Sequence, residues 1–102
     1  INIDWTSSRS RMTNSVSKNA LCGSALQISR GTRDLVIQHN AIIDNGAHDV
    51  YNMWSDGLTG LDLENADVSN NYFADNTDVD LIFGGCRNCV VKNNIIVPIQ
   101  KV

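Results

Sequence analysis

The sequence has little of what long helices, membrane spans and nucleic-acid contacts require. Glutamate occurs once and lysine three times among 102 residues, and 8 basic against 11 acidic residues leave a net charge of −3. Nucleic-acid binding is therefore not expected, because it needs a cluster of basic side chains. Apolar runs such as residues 95–99 are short, whereas a membrane-spanning helix needs about 20 apolar residues. We expect no membrane partner.

Cysteine is also scarce. Cys22, Cys86 and Cys89 cannot all pair within one molecule, and three cysteines are too few for a disulfide scaffold. Cys86 and Cys89 have the spacing of half a zinc site, but no second pair of this kind exists to complete it. We therefore expect a core made by packing and assign no metal site.

The length bounds the chain to one domain, residues 1–102, or to a fragment of one. The chain begins at Ile1 and has no charged segment followed by an apolar one. We therefore expect that it lacks a signal peptide and has been trimmed or excised.

Asparagine, aspartate and the branched aliphatic residues are abundant. The chain has 13 Asn, 10 Asp and 26 residues of Val, Ile or Leu. Asn and Asp favour turns because they tolerate a left-handed backbone, and Val and Ile fit the pleated surface of a strand. This composition predicts short strands joined by tight turns, with almost no helix.

The chain contains an internal repeat. Residues 35–42, 66–73 and 89–96 superimpose without gaps, with apolar residues at the first, third and eighth positions and Asn at the sixth. A fainter copy, residues 14–20, aligns with residues 40–46. The equivalent asparagines are then Asn14, Asn40, Asn71 and Asn94, spaced by 26, 31 and 23 residues.

The repeat alternates with period two, which is the period of a strand. Ile37, Val68 and Val91 are then predicted to face inward. Segments beginning at Leu26, Leu58 and Leu81 supply a further strand in each repeat. Three short strands per repeat are typical of a solenoid cross-section.

With this repeat the sequence resembles the right-handed parallel β-helix superfamily, which includes pectate lyases, polygalacturonases and phage tailspikes. The resemblance extends from about Asn14 to Ile99 and implies an all-β solenoid of about four coils. We expect it to be part of a longer helix or of an oligomer such as the family's trimers. It also implies asparagine ladders, in which stacked side-chain amides bond from coil to coil. The first ladder would contain Asn14, Asn40, Asn71 and Asn94, and the second Asn19, Asn45 and Asn76. The alternative is that these asparagines occupy exposed turns.

The same alignment places other side chains. Arg33, Glu64 and Arg87 fall at one position, so opposite charges would lie about 4.8 Å apart on neighbouring strands. Cys89 shares its position with Leu35 and Ala66, which predicts a small core residue rather than a ligand.

The longest insertion is the candidate functional site. Residues 46–57 combine aromatic and hydrogen-bonding side chains, which sugar rings require. The alignment also sets Ser55 beside Asp78 and Gly57 beside Asp80, so an acidic run would border this loop. The candidate catalytic residues are Asp78, Asp80, Asp56 and His48, and the candidate substrate-binding residues are Trp54, Tyr51, Asn52 and Asp49.

Closely spaced carboxylates require either a protonated acid or a bound cation. Ca²⁺ is therefore a candidate cofactor, but the sequence does not by itself assign one. Asn76-Thr77-Asp78 is similar to the Asn-Thr-Asp of polygalacturonases, but the Asp-Asp, Gly-His-Gly and Arg-x-Lys motifs that follow in that family are absent.

Two functions are open at this point. One is a secreted, extracellular carbohydrate-active enzyme, a hydrolase or lyase, with Asp78 or Asp80 as acid or base and Trp54 as a sugar platform. The other is a module that binds glycan, or serves as scaffold, without cleaving. Only the enzyme needs two carboxylates about 5 to 9.5 Å apart.

Overall fold

The computed structural model describes residues 1–3, 9–47 and 52–97, and all of their regular structure is β-strand. The expected near-absence of helix is confirmed for these residues, none of which lies in a helix able to cross a membrane. Their strands are β1 (Asn2–Ile3), β2 (Arg11–Thr13), β3 (Val16–Lys18), β4 (Gly23–Ile28), β5 (Arg33–Gln38), β6 (Ala41–Asn45), β7 (Ser55–Ser69), β8 (Tyr72–Asn76), β9 (Leu81–Arg87), β10 (Val90–Lys92) and β11 (Ile95–Val97).

The strands form two curled, parallel sheets. One contains β1, β4, β7, β5 and β2 in that order, with β9 and β10 also paired to β7, and the other has the order β11-β8-β6-β3. Every pairing is parallel and joins strands at the same place in successive repeats: β1 to β4, β4 to β7, and β7 to β9, for example. We call β1–β3, β4–β6, β7–β8 and β9–β11 the first to fourth repeats. This arrangement is compatible with a solenoid or β-helix.

The core lies between the two sheets. Ile37 and Val68 are paired on β5 and β7, as Ile42 and Phe73 are on β6 and β8, and all four are fully buried. Leu26 and Leu58 extend the core along the other half of the larger sheet. The predicted inward residues of the second and third repeats are therefore confirmed.

Buried asparagines form the first ladder. Asn40 Nδ2 donates to Asn71 Oδ1 at 3.1 Å, and Asn71 Nδ2 donates to Asn94 Oδ1 at 3.1 Å. Each amide also donates to a backbone carbonyl, that of Met12 for Asn40 and that of Ile37 for Asn71. The bonds satisfy amides that burial would otherwise leave unpaired.

Asn14 is not part of this ladder, contrary to the prediction. Ser15, one residue later, takes the equivalent place, because its N–H donates to Asn40 Oδ1 at 3.0 Å and Val16 pairs with Ala41. Val16, which the alignment matched to Ile42, is therefore exposed, and Ser17 is the buried residue. A one-residue slip in register exchanges the two faces of a strand.

The second ladder has the same correction. Asn45 Nδ2 donates to Asn76 Oδ1 at 2.8 Å, but the N–H that reaches Asn45 Oδ1 is that of Ala20, at 3.0 Å. Asn19 lies one residue before the ladder and has a positive φ of 64°. Equivalent positions of the first and second repeats are thus 25 residues apart.

Other asparagines and aspartates occupy left-handed turns. Asn14, His39, Asn70 and Asn93 each precede a ladder position and have φ between 52° and 58°. A left-handed backbone favours Asn and Asp among residues with a side chain. The ladder interpretation therefore holds for Asn40, Asn71, Asn94, Asn45 and Asn76, and the turn interpretation holds for Asn14 and Asn19.

The surface charges follow the predicted register. Arg33 pairs with Glu64, and Glu64 with Arg87, so the three side chains occupy one row. Within the described residues, however, the side-chain salt bridge is between Arg30 and Asp62, both exposed. Exposed ion pairs contribute only about 0 to 1 kcal/mol, so charge contributes little to this fold.

Cys89 packs against the core, as predicted, and is also bonded to Cys86. The disulfide closes the turn between β9 and β10. Cys22 is an exposed free thiol.

Candidate functional site

The beginning of β7 and the turn between β8 and β9 form one edge of the protein, which we call the acidic edge: Trp54, Asp56, Asp78 and Asp80. The predicted register of this edge is confirmed by two backbone bonds. Asp78 N–H donates to the Ser55 carbonyl at 3.0 Å, and Leu58 N–H donates to the Asp80 carbonyl at 3.0 Å. The end of the insertion and the acidic run are therefore neighbours.

The corner beneath the edge is tightly packed. Ser55 N–H donates to Thr77 Oγ1 at 2.9 Å. Gly46 passes directly against Thr77 with a φ of 98°, where a side chain would both overlap Thr77 and strain the backbone. The edge thus rests on a defined backbone.

Asp80 belongs to the scaffold of this edge. Its Oδ1 accepts a hydrogen bond from Asn76 Nδ2 at 2.9 Å, so the carboxylate extends the ladder that begins at Asn45. Asn76 is fully buried and also donates to the Ile42 carbonyl at 3.0 Å. A carboxylate that is held by a buried amide is better suited to stabilising the turn than to transferring a proton to a ligand.

Asp56 also uses one of its carboxylate oxygens in a structural hydrogen bond. Its Oδ1 accepts a hydrogen bond from the Val79 N–H at 3.1 Å and so holds the turn before β9. Asp56 is half-buried and lies on β7 in register with Ser24. Its second carboxylate oxygen has no hydrogen bond among the described residues.

Asp78 and Trp54 are the two exposed members of the edge. The Asp78 side chain makes no hydrogen bond within the described residues, although its backbone is fixed to Ser55. Trp54 is 45% exposed, and its carbonyl accepts from Gly23 N–H at 3.1 Å, which anchors its backbone beside β4. An indole and a carboxylate thus border the same strand end.

The remaining predicted residues come from the insertion itself. Asn52 is exposed with a φ of 55°. His48, Asp49 and Tyr51 lie outside the described residues, so their predicted place beside the acidic edge stays a prediction.

The described residues contain no group of three or more His, Cys, Asp or Glu arranged to hold a metal ion. The acidic edge supplies the oxygen atoms that a hard cation such as Ca²⁺ prefers, but two of its carboxylates already accept hydrogen bonds from the protein.

A second surface was not predicted. A groove of about 540 Å³ follows the turns between the two sheets, and we call it the asparagine groove. Its lining includes His39, Asn70, Asn93 and Tyr72, which is 42% exposed. The signal available in the sequence was Tyr72, an aromatic residue at an outward position directly after two asparagines.

No family model matches the chain, and no curated protein or solved structure does. The functional argument therefore depends on the geometry of the two surfaces.

Proposed function

We propose that the chain is an extracellular, right-handed parallel β-helix of four coils that binds a polysaccharide at its acidic edge. The parallel pairing of every repeat with the next and the two ladders support the architecture. Right-handedness is supported by the general rule that connections between parallel strands of one sheet are right-handed in about 98% of cases.

The observation that carries the binding function is the exposure of Trp54 and Asp78 on a rigid corner. An aromatic face packs on the apolar face of a sugar ring, and a carboxylate accepts hydrogen bonds from sugar hydroxyls. The Asp78 carboxylate has no hydrogen-bonding partner among the described residues that would have to be displaced.

Binding is favoured over catalysis because of the other two carboxylates. Asp80 accepts a hydrogen bond from Asn76, and Asp56 accepts one from Val79. Of these three acids, Asp78 alone has a carboxylate without a hydrogen bond among the described residues. Glycoside hydrolysis needs two carboxyl groups that act on one bond.

The test is a glycan-array and affinity screen of the whole chain with Trp54→Ala and the matched variant Tyr72→Ala. We expect Trp54→Ala to weaken binding about tenfold or more, the equivalent of about 1.4 kcal/mol, and Tyr72→Ala to leave it unchanged. No binding by the unmodified chain, or a loss confined to Tyr72→Ala, would contradict the proposal.

A hydrolase or lyase is the second candidate. It is favoured by the Asp78 carboxylate and by the Asp56 carboxylate, of which one oxygen accepts no hydrogen bond among the described residues. A depolymerisation assay with and without Ca²⁺ tests it, with Asp78→Asn as the variant. Cleavage that Asp78→Asn abolishes while the melting temperature is unchanged supports an enzyme. Unsaturated products with a Ca²⁺ requirement indicate a lyase.

A further inference from the structure

The fourth repeat leaves core-facing side chains uncovered. Val91 is paired with Val68 and Ile96 with Phe73, both of which are fully buried. Val91 and Ile96 are nevertheless 42% and 46% exposed. The strands β10 and β11 thus present apolar surface to solvent. Each also has an edge that no described strand pairs with, of the kind that accepts another strand.

The first asparagine ladder stops with donors unused. Asn40 and Asn71 each donate their backbone N–H and their Nδ2 to the Oδ1 of the next asparagine. Asn94 accepts both bonds from Asn71 and donates one Nδ2 hydrogen to the Val68 carbonyl. Its N–H and its second Nδ2 hydrogen have no partner among the described residues. A strand that places a hydrogen-bond acceptor beside Asn94 would therefore complement this end.

The opposite end of the same protein offers such strands. Among the strands that the structure describes, β2 and β3 pair on one side only, with β5 and β6, and they run parallel to β10 and β11. Ser15 lies between them at the ladder position. Its hydroxyl donates to the Thr13 carbonyl at 3.0 Å, which leaves its oxygen able to accept.

We propose that the β10–β11 end binds the β2–β3 end of a second copy of this chain, so that copies stack head to tail. The register of the existing repeats sets the match, with Asn94 beside Ser15 of the second copy. The acceptor that Asn94 needs is then the Ser15 hydroxyl oxygen.

Apolar residues meet in this register. Val91 comes beside Met12 and Phe83 beside Ile3, each of them a core-facing position. On the outer face, Ile95, which is 61% exposed, meets Val16, which is 59% exposed. Because hydrophobic stabilisation follows the apolar area removed from water, these contacts favour stacking.

The charges of the two ends do not oppose the match. Lys92 comes beside Thr13, Arg11 beside Val90, and Lys18 beside Val97. No described charged residue of one end faces a like charge at the other. A second copy therefore complements the open end in backbone, ladder and apolar residues.

Head-to-tail contacts join two different surfaces, so association does not close at a dimer. We expect the average mass of the full chain to rise with concentration in sedimentation equilibrium. Val91→Asp is expected to raise the dissociation constant at least tenfold. Val90→Asp is the matched control for an added carboxylate. Val90 has the same 42% exposure but faces outward, beside Arg11 of the second copy, so this variant should not weaken association.

A chain that stays monomeric at every concentration overturns the proposal. So does association that Val90→Asp and Val91→Asp weaken equally. Circular dichroism of both variants establishes that they are folded.

Cross-linking tests the orientation without a charge in the interface. In a Cys22→Ser background, Thr13→Cys and Lys92→Cys chains are mixed under a mild oxidant. Adjacent strands lie about 4.8 Å apart, within the Cα range of about 4.4–6.8 Å that disulfides span. Head-to-tail stacking predicts a cross-linked heterodimer only in the mixture. A homodimer of Lys92→Cys alone would instead indicate tail-to-tail contact and overturn the proposal.

Discussion

Val68 and Val91 occupy paired positions on β7 and β10, yet Val68 is fully buried and Val91 is 42% exposed. The two residues have the same side chain, the same inward direction and the same place in the repeat. They differ in what lies beyond them, because within the described part of the chain β7 has a neighbouring strand on both sides and β10 has one on one side only. In a stacked fold, burial thus depends on the next repeat as much as on the residue itself.

The largest effect is expected from placing a charge at these two positions. Val68→Asp buries an unpaired carboxylate, which costs several kcal/mol and should unfold or aggregate the protein. Val91→Asp keeps its carboxylate in contact with water and should stay folded. Chemical denaturation measures both. A soluble Val68→Asp with unchanged melting would contradict the inward assignment.

Gly57→Ala tests how closely the third and fourth repeats approach each other. A methyl group at Gly57 would overlap the backbone carbonyl of Asp80 on the next repeat, which cannot move without disturbing the sheet. We expect a loss of about 1–3 kcal/mol in the free energy of unfolding.

Gly84→Ala is the control for that change. A methyl group there meets only the Leu61 side chain, at 3.0 Å, and that side chain can rotate away. Equal losses for the two variants would mean that the approach at Gly57 is not specific.

Variants of Asn71 and Asn70 distinguish the contribution of the ladder from that of the turn that precedes it. Asn71→Ala removes an amide that donates to the Ile37 carbonyl and to Asn94, so thermal unfolding should show a loss of about 1–3 kcal/mol. Asn70→Gly keeps the left-handed turn and should be close to neutral. A harmless Asn71→Ala would indicate that the ladder contributes nothing.

The smallest effect is expected at the acidic edge. Asp80→Ala leaves the buried Nδ2 of Asn76 with one partner fewer and should cost about 1 kcal/mol. Asp78→Ala removes an exposed side chain and should change stability by less than about 0.5 kcal/mol. A reversal of this order, measured by denaturant titration, would make Asp78 the scaffold residue and remove it from the candidate site.

The sequence predicted the register of the last three repeats correctly because their apolar positions and asparagines coincide. The pairing of Val68 with Ile37 on one side and Val91 on the other, and the contact of Ser55 with Asp78, both follow from that alignment. The same pattern predicted the buried asparagines of these repeats, because Asn40, Asn71 and Asn94 keep one offset from the apolar positions.

The first repeat was misplaced by one residue because its ladder position holds Ser15 rather than an asparagine. Asn14 and Asn19 both resemble ladder residues, but they occupy the left-handed turns that precede it. Composition does not distinguish the two roles, since asparagine suits a buried amide ladder and a positive φ equally well. Only the hydrogen bonds of Asn40 and Asn45 assign them.

The candidate site divides in the same way. The sequence placed Asp56, Asp78 and Asp80 near one another but could not say which carboxylate is free. That distinction came from the bonds of Asp80 to Asn76 and of Asp56 to Val79. The asparagine groove was missed because it forms from the outward faces of several repeats.

By itself, then, the sequence determined an all-β chain with short strands, the inward residues of three repeats and the asparagines that lie among them. Periodicity suffices for this, because side-chain direction along a strand depends only on position. The tertiary structure decided which asparagines are ladder and which are turn, which acid is uncommitted, and which valine is buried. Each of these depends on the atoms of a neighbouring repeat, and a local pattern contains no information about them.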